Sequence, residues 1–219
     1  MKTIIISGSS RGIGMALTKK LLSRNDVEII GTSTSGKNSL QDDYFRCLPL
    51  KLEDKNSIEE FAKLIENKKI DYLVNNAGVL MDDWNESKID FQNLLKTFEI
   101  NLFGTIRFTE ALLSQFNPGA HIVNVTSEWG SFSEKNFDEF LPHYKMSKAA
   151  LNMYTKLLAE RLKSKQIKVS ALDPGWVKTD MGGMQASRTS DEVANELLNL
   201  LEGDYETGKF WHRGKIRKW

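Results

Sequence analysis

The sequence predicts an α/β fold: a single doubly wound domain over residues 1–219, with a mostly parallel sheet and helices on both of its faces. The first observation behind this prediction is that short β-branched runs alternate with longer segments of helical period. The second is that each run is short enough to be a buried parallel strand. The third is that the chain has 219 residues and no interior linker rich in Pro, Gly or Ser, which favours one domain.

The predicted elements follow one another in a regular order. The first strand is predicted at residues 3–7, and a glycine-rich turn follows it. Ile13, Leu17 and Leu21 then form one apolar face of the first helix. Further strands are predicted at residues 27–32, 45–50, 70–74, 122–125 and 169–172. Further helices, with all 4 prolines outside them, are predicted at residues 57–67, 91–115, 144–164 and 191–202.

Composition excludes several classes of protein. The 30 basic and 29 acidic residues leave a net charge of +1, which provides no field that would gather a nucleic acid. Cys47 is the one cysteine and the 3 histidines are scattered, so neither a disulfide nor a metal site is predicted. No apolar run is long enough for a membrane span or a signal peptide. We therefore expect a cytoplasmic protein that binds neither nucleic acid nor a membrane.

The glycine-rich turn has the pattern of a phosphate-binding loop. Gly8 allows a tight exit from the first strand, Gly12 lets the backbone approach a pyrophosphate, and Gly14 lets the next helix pack closely on the strand. The N-terminus of that helix would offer free N–H groups to the anion. These features predict a Rossmann-type dinucleotide site, although a plain loop can contain glycines at the same spacing.

Residues 31–37 allow two interpretations. They nearly match the phosphate loop of nucleotide triphosphatases, but Asn38 stands where that loop needs Ser or Thr, and no helix is predicted directly after it. A polar turn is the favoured interpretation. The turn holds no acidic residue of the kind that binds the ribose 2′-hydroxyl of NAD. Its hydroxyl side chains, among them Thr34, suit a 2′-phosphate together with Arg11 and Lys37, so the predicted cofactor is NADP(H).

A tyrosine and a lysine lie one helical turn apart. Tyr144 and Lys148 occur at the start of a predicted helix, and their spacing places them on one face. A nearby ammonium group stabilises a phenolate and lowers the tyrosine pKa, as proton transfer near neutral pH requires. The same spacing is also common on solvated helices. Ser127 favours the catalytic interpretation, because it ends the preceding predicted strand, at the edge where parallel sheets hold their ligands.

A set of motifs in this chain resembles the short-chain dehydrogenase/reductase superfamily. The motifs occur in the order and spacing of that family over nearly the whole chain: Gly8-x-x-x-Gly12-x-Gly14, Asn75-Asn76-Ala77-Gly78, Asn101, Ser127, Tyr144-x-x-x-Lys148 and Pro174-Gly175. Residues 144–152 and 174–183 resemble the C-factor and Sniffer-like carbonyl reductase branch. The resemblance implies the reduction of an aldehyde or ketone, a small-molecule substrate, with NADPH as the reductant.

The resemblance also implies roles for individual residues. Tyr144 would be the general acid, Ser127 would hydrogen-bond the substrate oxygen, and Asn101 would support a water in the proton relay. Lys148 would lower the Tyr144 pKa and hold the nicotinamide ribose, and Thr179 would contact the carboxamide. The full set of implied cofactor contacts is Gly8, Ser10, Arg11, Gly12, Ile13, Gly14, Thr34, Leu52, Asn76, Ala77, Gly78, Tyr144, Lys148, Pro174, Gly175, Val177 and Thr179.

The chain departs from the family pattern in three places. Lys51 stands where the family usually has an aspartate for the adenine amino group, so only the backbone of Leu52 is expected near the adenine. The loop between Ser127 and Tyr144 is longer and more polar than usual. Residues 182–190 are short for a substrate lid, which predicts an open site.

Family analogy also implies an assembly and a further strand. The helices at residues 91–115 and 144–164 would form the contacts of a homodimer or homotetramer, and a last strand would lie near residues 209–211. A non-enzymatic protein of the same fold, which senses a dinucleotide or serves as a scaffold, is the alternative function, because fold alone does not establish catalysis.

Overall fold

The strands of the chain form one sheet in the computed structural model, which describes residues 1–24, 26–135 and 137–219. In chain order they are β1 (Lys2–Ile6), β2 (Val27–Ser33), β3 (Phe45–Pro49), β4 (Ile70–Asn75), β5 (Phe116–Val125), β6 (Lys168–Leu172), β7 (Phe210–His212) and β8 (Lys215–Arg217). Their spatial order is β3-β2-β1-β4-β5-β6-β7-β8. Strands β1 to β7 are parallel, and β8 is antiparallel to β7. The crossing from β3 back to β4 creates a crevice at the carboxyl ends of β1 and β4, where folds of this kind hold ligands.

Helices cover both faces of the sheet, which confirms the predicted fold class. They are α1 (Gly12–Leu22), α2 (Lys55–Leu64), α3 (Phe91–Phe98), α4 (Thr105–Leu112), α5 (Pro142–Leu162) and α6 (Ser190–Glu202). Helices α1 and α6 bury Leu17 and Leu197 in one core. Helices α2, α4 and α5 bury Phe61, Phe108 and Leu158 in a second core on the other face. Burial of these two apolar layers is what holds the sheet between its helices.

The helix predicted at residues 91–115 is helical throughout but not uniform. Helix α3 continues into a π-helical turn at Glu99–Gly104, then into α4 and a 3₁₀ turn at Leu113–Gln115. A π-helical turn is rare and is found mostly at functional sites, and this one contains Asn101. Gly104 lets the turn pack closely, because a Cβ atom there would lie 2.3 Å from the carbonyl oxygen of Leu52.

Some predicted boundaries are wrong for local reasons. Helix α5 begins at Pro142 rather than at residue 144, because proline suits the first position of a helix. Strand β5 begins at Phe116 rather than at residue 122, and a register shift against β4 accommodates Pro118 within the strand. Strand β7 agrees with the strand expected near residues 209–211. Strand β8 was not predicted, because three residues carry no readable alternation.

Two features of the described residues bear on other classes of function. No helix in this part of the chain is both long enough and apolar enough to cross a membrane. The same residues hold no group of three or more His, Cys, Asp or Glu side chains arranged to bind a metal ion.

Candidate active site

The turn after β1 has the backbone geometry that its glycine pattern predicts. Gly8 and Gly12 have φ angles of 70° and 54°, in the left-handed region that favours glycine. At Gly14 the constraint is space, because a Cβ atom there would lie 2.2 Å from the carbonyl oxygen of Gly8. Helix α1 therefore packs directly on the turn, and its unpaired N–H groups lie at the carboxyl edge of the sheet.

Side chains after β4 support this turn. The Asn76 side-chain amide donates hydrogen bonds to the carbonyl oxygens of Ser7 and Gly8, at 3.0 and 3.1 Å. The Ser7 hydroxyl accepts hydrogen bonds from the backbone N–H groups of Asn76 and Ala77, at 3.0 Å each. The predicted Asn75-Asn76-Ala77-Gly78 motif thus fixes the glycine turn as well as lining the crevice.

A cleft of ≈ 580 Å³ extends along the carboxyl edge of the sheet from the glycine turn to α5. Most of the predicted cofactor residues line it. Gly14 is not among the lining residues because it packs behind the turn, and Gly175 and Val177 line a smaller adjoining pocket instead. The predicted residues that do line the cleft are Gly8, Ser10, Arg11, Gly12, Ile13, Thr34, Leu52, Asn76, Ala77, Gly78, Tyr144, Lys148, Pro174 and Thr179.

One end of the cleft carries the residues predicted to recognise a 2′-phosphate. Thr34 and Arg11 both line it, whereas Lys37 is not among the lining residues, so its contact with a 2′-phosphate stays a prediction. An Arg11 guanidinium nitrogen lies 2.8 Å from the Asp180 carboxylate across the mouth of the cleft, and both side chains are largely exposed. An exposed ion pair contributes little to stability. Arg11 is therefore available to exchange Asp180 for an anionic ligand.

Ser127 and Tyr144 meet where the cleft joins the smaller pocket. The two side chains are close enough for the Ser127 hydroxyl to act on the pKa of the Tyr144 phenol, and Tyr144 lines both cavities while Ser127 lines the smaller one. Burial raises the pKa of Tyr144 above its ordinary value of 10.0, the Asp173 carboxylate raises it further, and the Ser127 hydroxyl acts in the opposite direction. Burial is the largest of these effects, and the lowering of this pKa by Lys148 stays a prediction. The phenol is protonated at neutral pH, the form that can donate a proton.

Lys148 lies one turn along α5 beside the tyrosine ring. Its ammonium nitrogen is 5.5 Å from the centre of the Tyr144 ring and donates a hydrogen bond of 2.9 Å to the carbonyl oxygen of Val125. Burial lowers its pKa from 10.5 to about 8. A Cβ atom on Gly78 would lie 3.6 Å from the same nitrogen, so the glycine keeps the cleft open next to Lys148.

Asn101 occupies the π-helical turn and binds the backbone after β4. Its amide nitrogen donates to the carbonyl oxygen of Val79 at 2.8 Å, and its amide oxygen accepts from the Val79 N–H at 2.7 Å. The same nitrogen lies 3.2 Å from the Ser147 hydroxyl. Asn101 thus joins the segment after β4 to α5, and its role in a proton relay stays a prediction.

The group that fixes the start of α5 was not predicted from the sequence. Asp82 is fully buried and accepts hydrogen bonds from the backbone N–H groups of His143 and Tyr144, at 3.1 Å each. One of its oxygens is 2.6 Å from His143 Nδ1, and His143 Nε2 accepts a hydrogen bond from the Asp90 N–H at 3.0 Å. A carboxylate is favoured at the N-terminus of a helix. Asp82 therefore holds the helical turn that carries Tyr144. Asp82 and His143 are 61 residues apart, so the motif around Tyr144 does not indicate this contact.

The smaller pocket, of ≈ 100 Å³, is aromatic. Trp84, Trp129 and Trp176 line it together with Ser127 and Tyr144. The Trp129 ring is edge-on to the rings of Trp84 and Tyr144, with centroids 6.0 and 6.1 Å apart. Trp84 and Trp176 are about half exposed, at 47% and 46%, so the pocket is open to solvent, as the short segment at residues 182–190 predicts.

The arrangement fits an extended dinucleotide with a small reactant beside it. Gly8 and Gly12 leave backbone accessible at the start of α1, where a pyrophosphate binds. Gly78 leaves space at the far end, next to Lys148. Two hydroxyl groups and a buried ammonium group then converge where the cleft meets the aromatic pocket, and such a set can stabilise and protonate a developing oxyanion.

Comparisons with known proteins agree with this geometry. A family model for the short chain dehydrogenases matches residues 2–190. C-signal of Myxococcus xanthus is 35% identical over 145 residues, covering 65% of this chain and 87% of that protein. The structure of carbonyl reductase Sniffer of D. melanogaster has a TM-score of 0.88 at 26% identity and covers 100% of both chains. An NADPH-bound carbonyl reductase from chicken fatty liver has a TM-score of 0.89 at 25% identity, covering 100% of this chain and 99% of that one.

Since the family model spans most of the chain, and since the glycine turn, the serine, the tyrosine and the lysine meet in one crevice, the chain belongs to the short-chain dehydrogenase family, whose oxidoreductases bind a nicotinamide dinucleotide.

Proposed function

We propose that the protein reduces an aldehyde or ketone with NADPH and that Tyr144 is the general acid. The observation that carries this proposal is that the Ser127 and Tyr144 side chains come together at the junction of the cleft and the aromatic pocket. A reacting carbonyl group at this junction would meet both hydroxyl groups. The likeness to carbonyl reductases, one of them NADPH-bound, supports the same proposal.

The residues of this chain divide the reaction between them. When bound, the reduced nicotinamide supplies a hydride to the carbonyl carbon. Ser127 donates a hydrogen bond to the carbonyl oxygen, and Tyr144 transfers its phenolic proton to the same oxygen as negative charge develops there. Lys148 stabilises the phenolate that remains and binds the nicotinamide ribose. The Trp129 ring, edge-on to Tyr144, covers one side of the phenol.

A panel of carbonyl compounds tests this function. We expect NADPH to be consumed with at least one of three classes, which are dicarbonyls, quinones and aromatic aldehydes. Ser127→Ala should lower turnover about a hundredfold, because it removes one of two donors to the developing oxyanion. If none of the three classes is reduced although the wild-type protein binds NADPH, the non-enzymatic sensor or scaffold becomes the better interpretation.

The preference for NADPH over NADH is a separate prediction. Thr34 and Arg11 line the end of the cleft where the 2′-phosphate would lie. A charge-assisted hydrogen bond contributes about 1.5–3 kcal/mol, so the dissociation constant of NADPH should be about tenfold or more below that of NADH. Both constants are measurable by fluorescence titration. Arg11→Gln should remove most of the difference, whereas Lys19→Gln, at an exposed position on α1, should retain it. Equal constants in the wild-type protein would contradict the assignment of NADP(H).

We also propose that the protein is a homodimer or homotetramer. Helices α3 and α5 pack beside each other and expose large apolar side chains, among them Phe91, Leu95, Met153 and Leu157. Water contact with such a surface is unfavourable, and a second copy of the chain would bury it. Sedimentation velocity would report a mass of two or four chains, and a monomer at micromolar concentration would contradict the proposal. The cytoplasmic location stays a prediction.

A further inference from the structure

The end of the chain brings one arginine into contact with three carboxylates. The Arg217 guanidinium in β8 lies 2.7 Å from Glu128, 2.6 Å from Glu134 and 3.1 Å from Asp173. The Asp173 side chain is only 1% exposed, and the Arg217 side chain is 25% exposed. Partial burial of a hydrogen-bonded ion cluster makes each partner depend on the others, since removal of one leaves the opposite charge unpaired in a poorly solvated place.

Two of these carboxylates flank the candidate active site. Glu128 follows Ser127 directly, in a 3₁₀ turn that the Ser127 hydroxyl caps at the Trp129 N–H. Asp173 precedes Pro174 directly, and its other oxygen accepts a hydrogen bond of 2.9 Å from the Gly175 N–H. Arg217 therefore joins the turn that begins at Ser127 to the segment Asp173–Gly175, which directly follows β6.

The residues after Arg217 extend this connection. The Ser131 hydroxyl donates to the carbonyl oxygen of Lys218 at 2.9 Å, and the Ser133 hydroxyl donates to the terminal Trp219 at 2.7 Å. The Trp219 ring stacks on Phe210 in β7 with centroids 5.3 Å apart. The end of the chain is thus bound along the loop that follows Ser127, and Arg217 connects β8 to Asp173.

We propose that Arg217 is a positioning residue for catalysis: its guanidinium fixes the Ser127 turn against the Asp173–Gly175 segment and offsets the Asp173 charge that faces Tyr144. This inference rests on the proposed carbonyl reduction. Asp173 is close enough to raise the pKa of the Tyr144 phenol, so a cation that neutralises Asp173 favours proton release. The other groups that act on Asp173 are His212 of β7, 3.1 Å away, and Tyr144 of α5. Arg188 donates to the carbonyl of the next residue, Pro174, and pairs with Glu196 of α6, which in turn acts on His212.

The test removes one positive charge from β8 at either of two positions. Arg217→Met should lower kcat/KM for the carbonyl substrate about tenfold to a hundredfold, because a small displacement of Ser127 misaligns the reacting atoms. The dissociation constant for NADPH should change less than about twofold, since Arg217 does not line the cofactor cleft. Lys215→Met removes the same charge from an exposed position of the same strand and should leave both values unchanged.

The pH profile separates positioning from general loss of structure. Arg217 opposes the burial that raises the pKa of Glu128, and it adds to His212 in lowering the pKa of Asp173, so in Arg217→Met both carboxyl groups take up protons at higher pH. Protonation removes their mutual repulsion, and the deficit of Arg217→Met relative to wild type should narrow as the pH falls from about 8 to about 5. Arg217→Lys keeps the charge without the planar fork. It should therefore retain the wild-type pH profile while recovering only part of kcat/KM.

A crystal structure of Arg217→Met gives a readout that does not need turnover. We expect the Ser127 hydroxyl to move away from the Tyr144 phenol and the 3₁₀ turn after Ser127 to be displaced. An unchanged turn, or a kcat/KM equal to that of wild type, would overturn the inference even if the enzyme reduces carbonyls.

If the wild-type protein reduces none of the carbonyl compounds, the proposed function fails, and the crystal structure still decides whether Arg217 holds the turn. If Arg217→Met does not fold, kcat/KM and the position of the Ser127 turn are compared with wild type in two other variants. These are Arg217→Lys and the double variant Glu128→Gln/Arg217→Met, which removes both charges.

Discussion

Tyr144→Phe should lower turnover about a thousandfold while leaving the dissociation constant of NADPH within about twofold of wild type. The change removes a single oxygen atom, and with it the only titratable side-chain group that lines both the cleft and the aromatic pocket among the described residues. The ring itself remains, and it keeps its edge-on contact with Trp129. The expected result is therefore a protein that binds cofactor and fails at proton transfer.

Tyr154→Phe is the matched control for this variant. Tyr154 lies on the same helix, α5, and its hydroxyl donates a hydrogen bond of 3.0 Å to Glu110, away from both cavities. Loss of that bond should reduce the free energy of unfolding by about 1 kcal/mol and leave kcat unchanged. Single-turnover measurements with saturating NADPH compare the two variants directly. A Tyr144→Phe enzyme with a near-normal rate would remove the tyrosine from the mechanism.

The parts of the site that were predictable from sequence are those with short-range causes. Gly8, Gly12 and Gly14 are needed because the backbone itself turns tightly and packs closely there. Tyr144 and Lys148 are adjacent because any helix places residues four apart on one face. Strands of the sheet were predictable for the same reason, since burial on both faces leaves a continuous apolar run in the sequence.

The parts that were not predictable depend on contacts between distant segments. Asp82 and Tyr144 are 62 residues apart, and Glu128 and Arg217 are 89 apart. No spacing rule relates such pairs, because the fold alone brings them together. The π-helical turn around Asn101 is hidden for another reason, since one extra residue in a helical turn barely changes an apolar pattern. Residues that position the catalytic groups thus came only from the structure, whereas the groups themselves came from motifs.

Lys148→Met should be nearly inactive and yet more stable than wild type at neutral pH. The activity falls because the variant lacks the ammonium group that would stabilise the Tyr144 phenolate and bind the ribose. Both kcat and the affinity for NADPH should therefore decrease, whereas in Tyr144→Phe only kcat should decrease. The gain in stability comes from burial, which lowers the pKa of Lys148 from 10.5 to about 8. A charge held in such a place destabilises the folded state by about 3 kcal/mol. Loss of the hydrogen bond to Val125 offsets about 1 kcal/mol of the gain.

The sign of this effect can be checked against pH. Between about pH 8 and pH 10.5 the unfolded chain binds a proton at Lys148 that the folded chain has released. The free energy of unfolding of the wild-type protein therefore rises with pH over this range, as far as Lys148 determines it. The advantage of Lys148→Met should therefore be largest below pH 8 and shrink as the pH approaches 10.5. Urea unfolding at pH 7 and at pH 10 measures it, with Lys156→Met on the exposed side of α5 as the control that should show no such trend. A variant less stable than wild type at pH 7 would mean that the interactions of the ammonium group outweigh its burial, and the lysine would then stabilise the fold as well as serve the reaction.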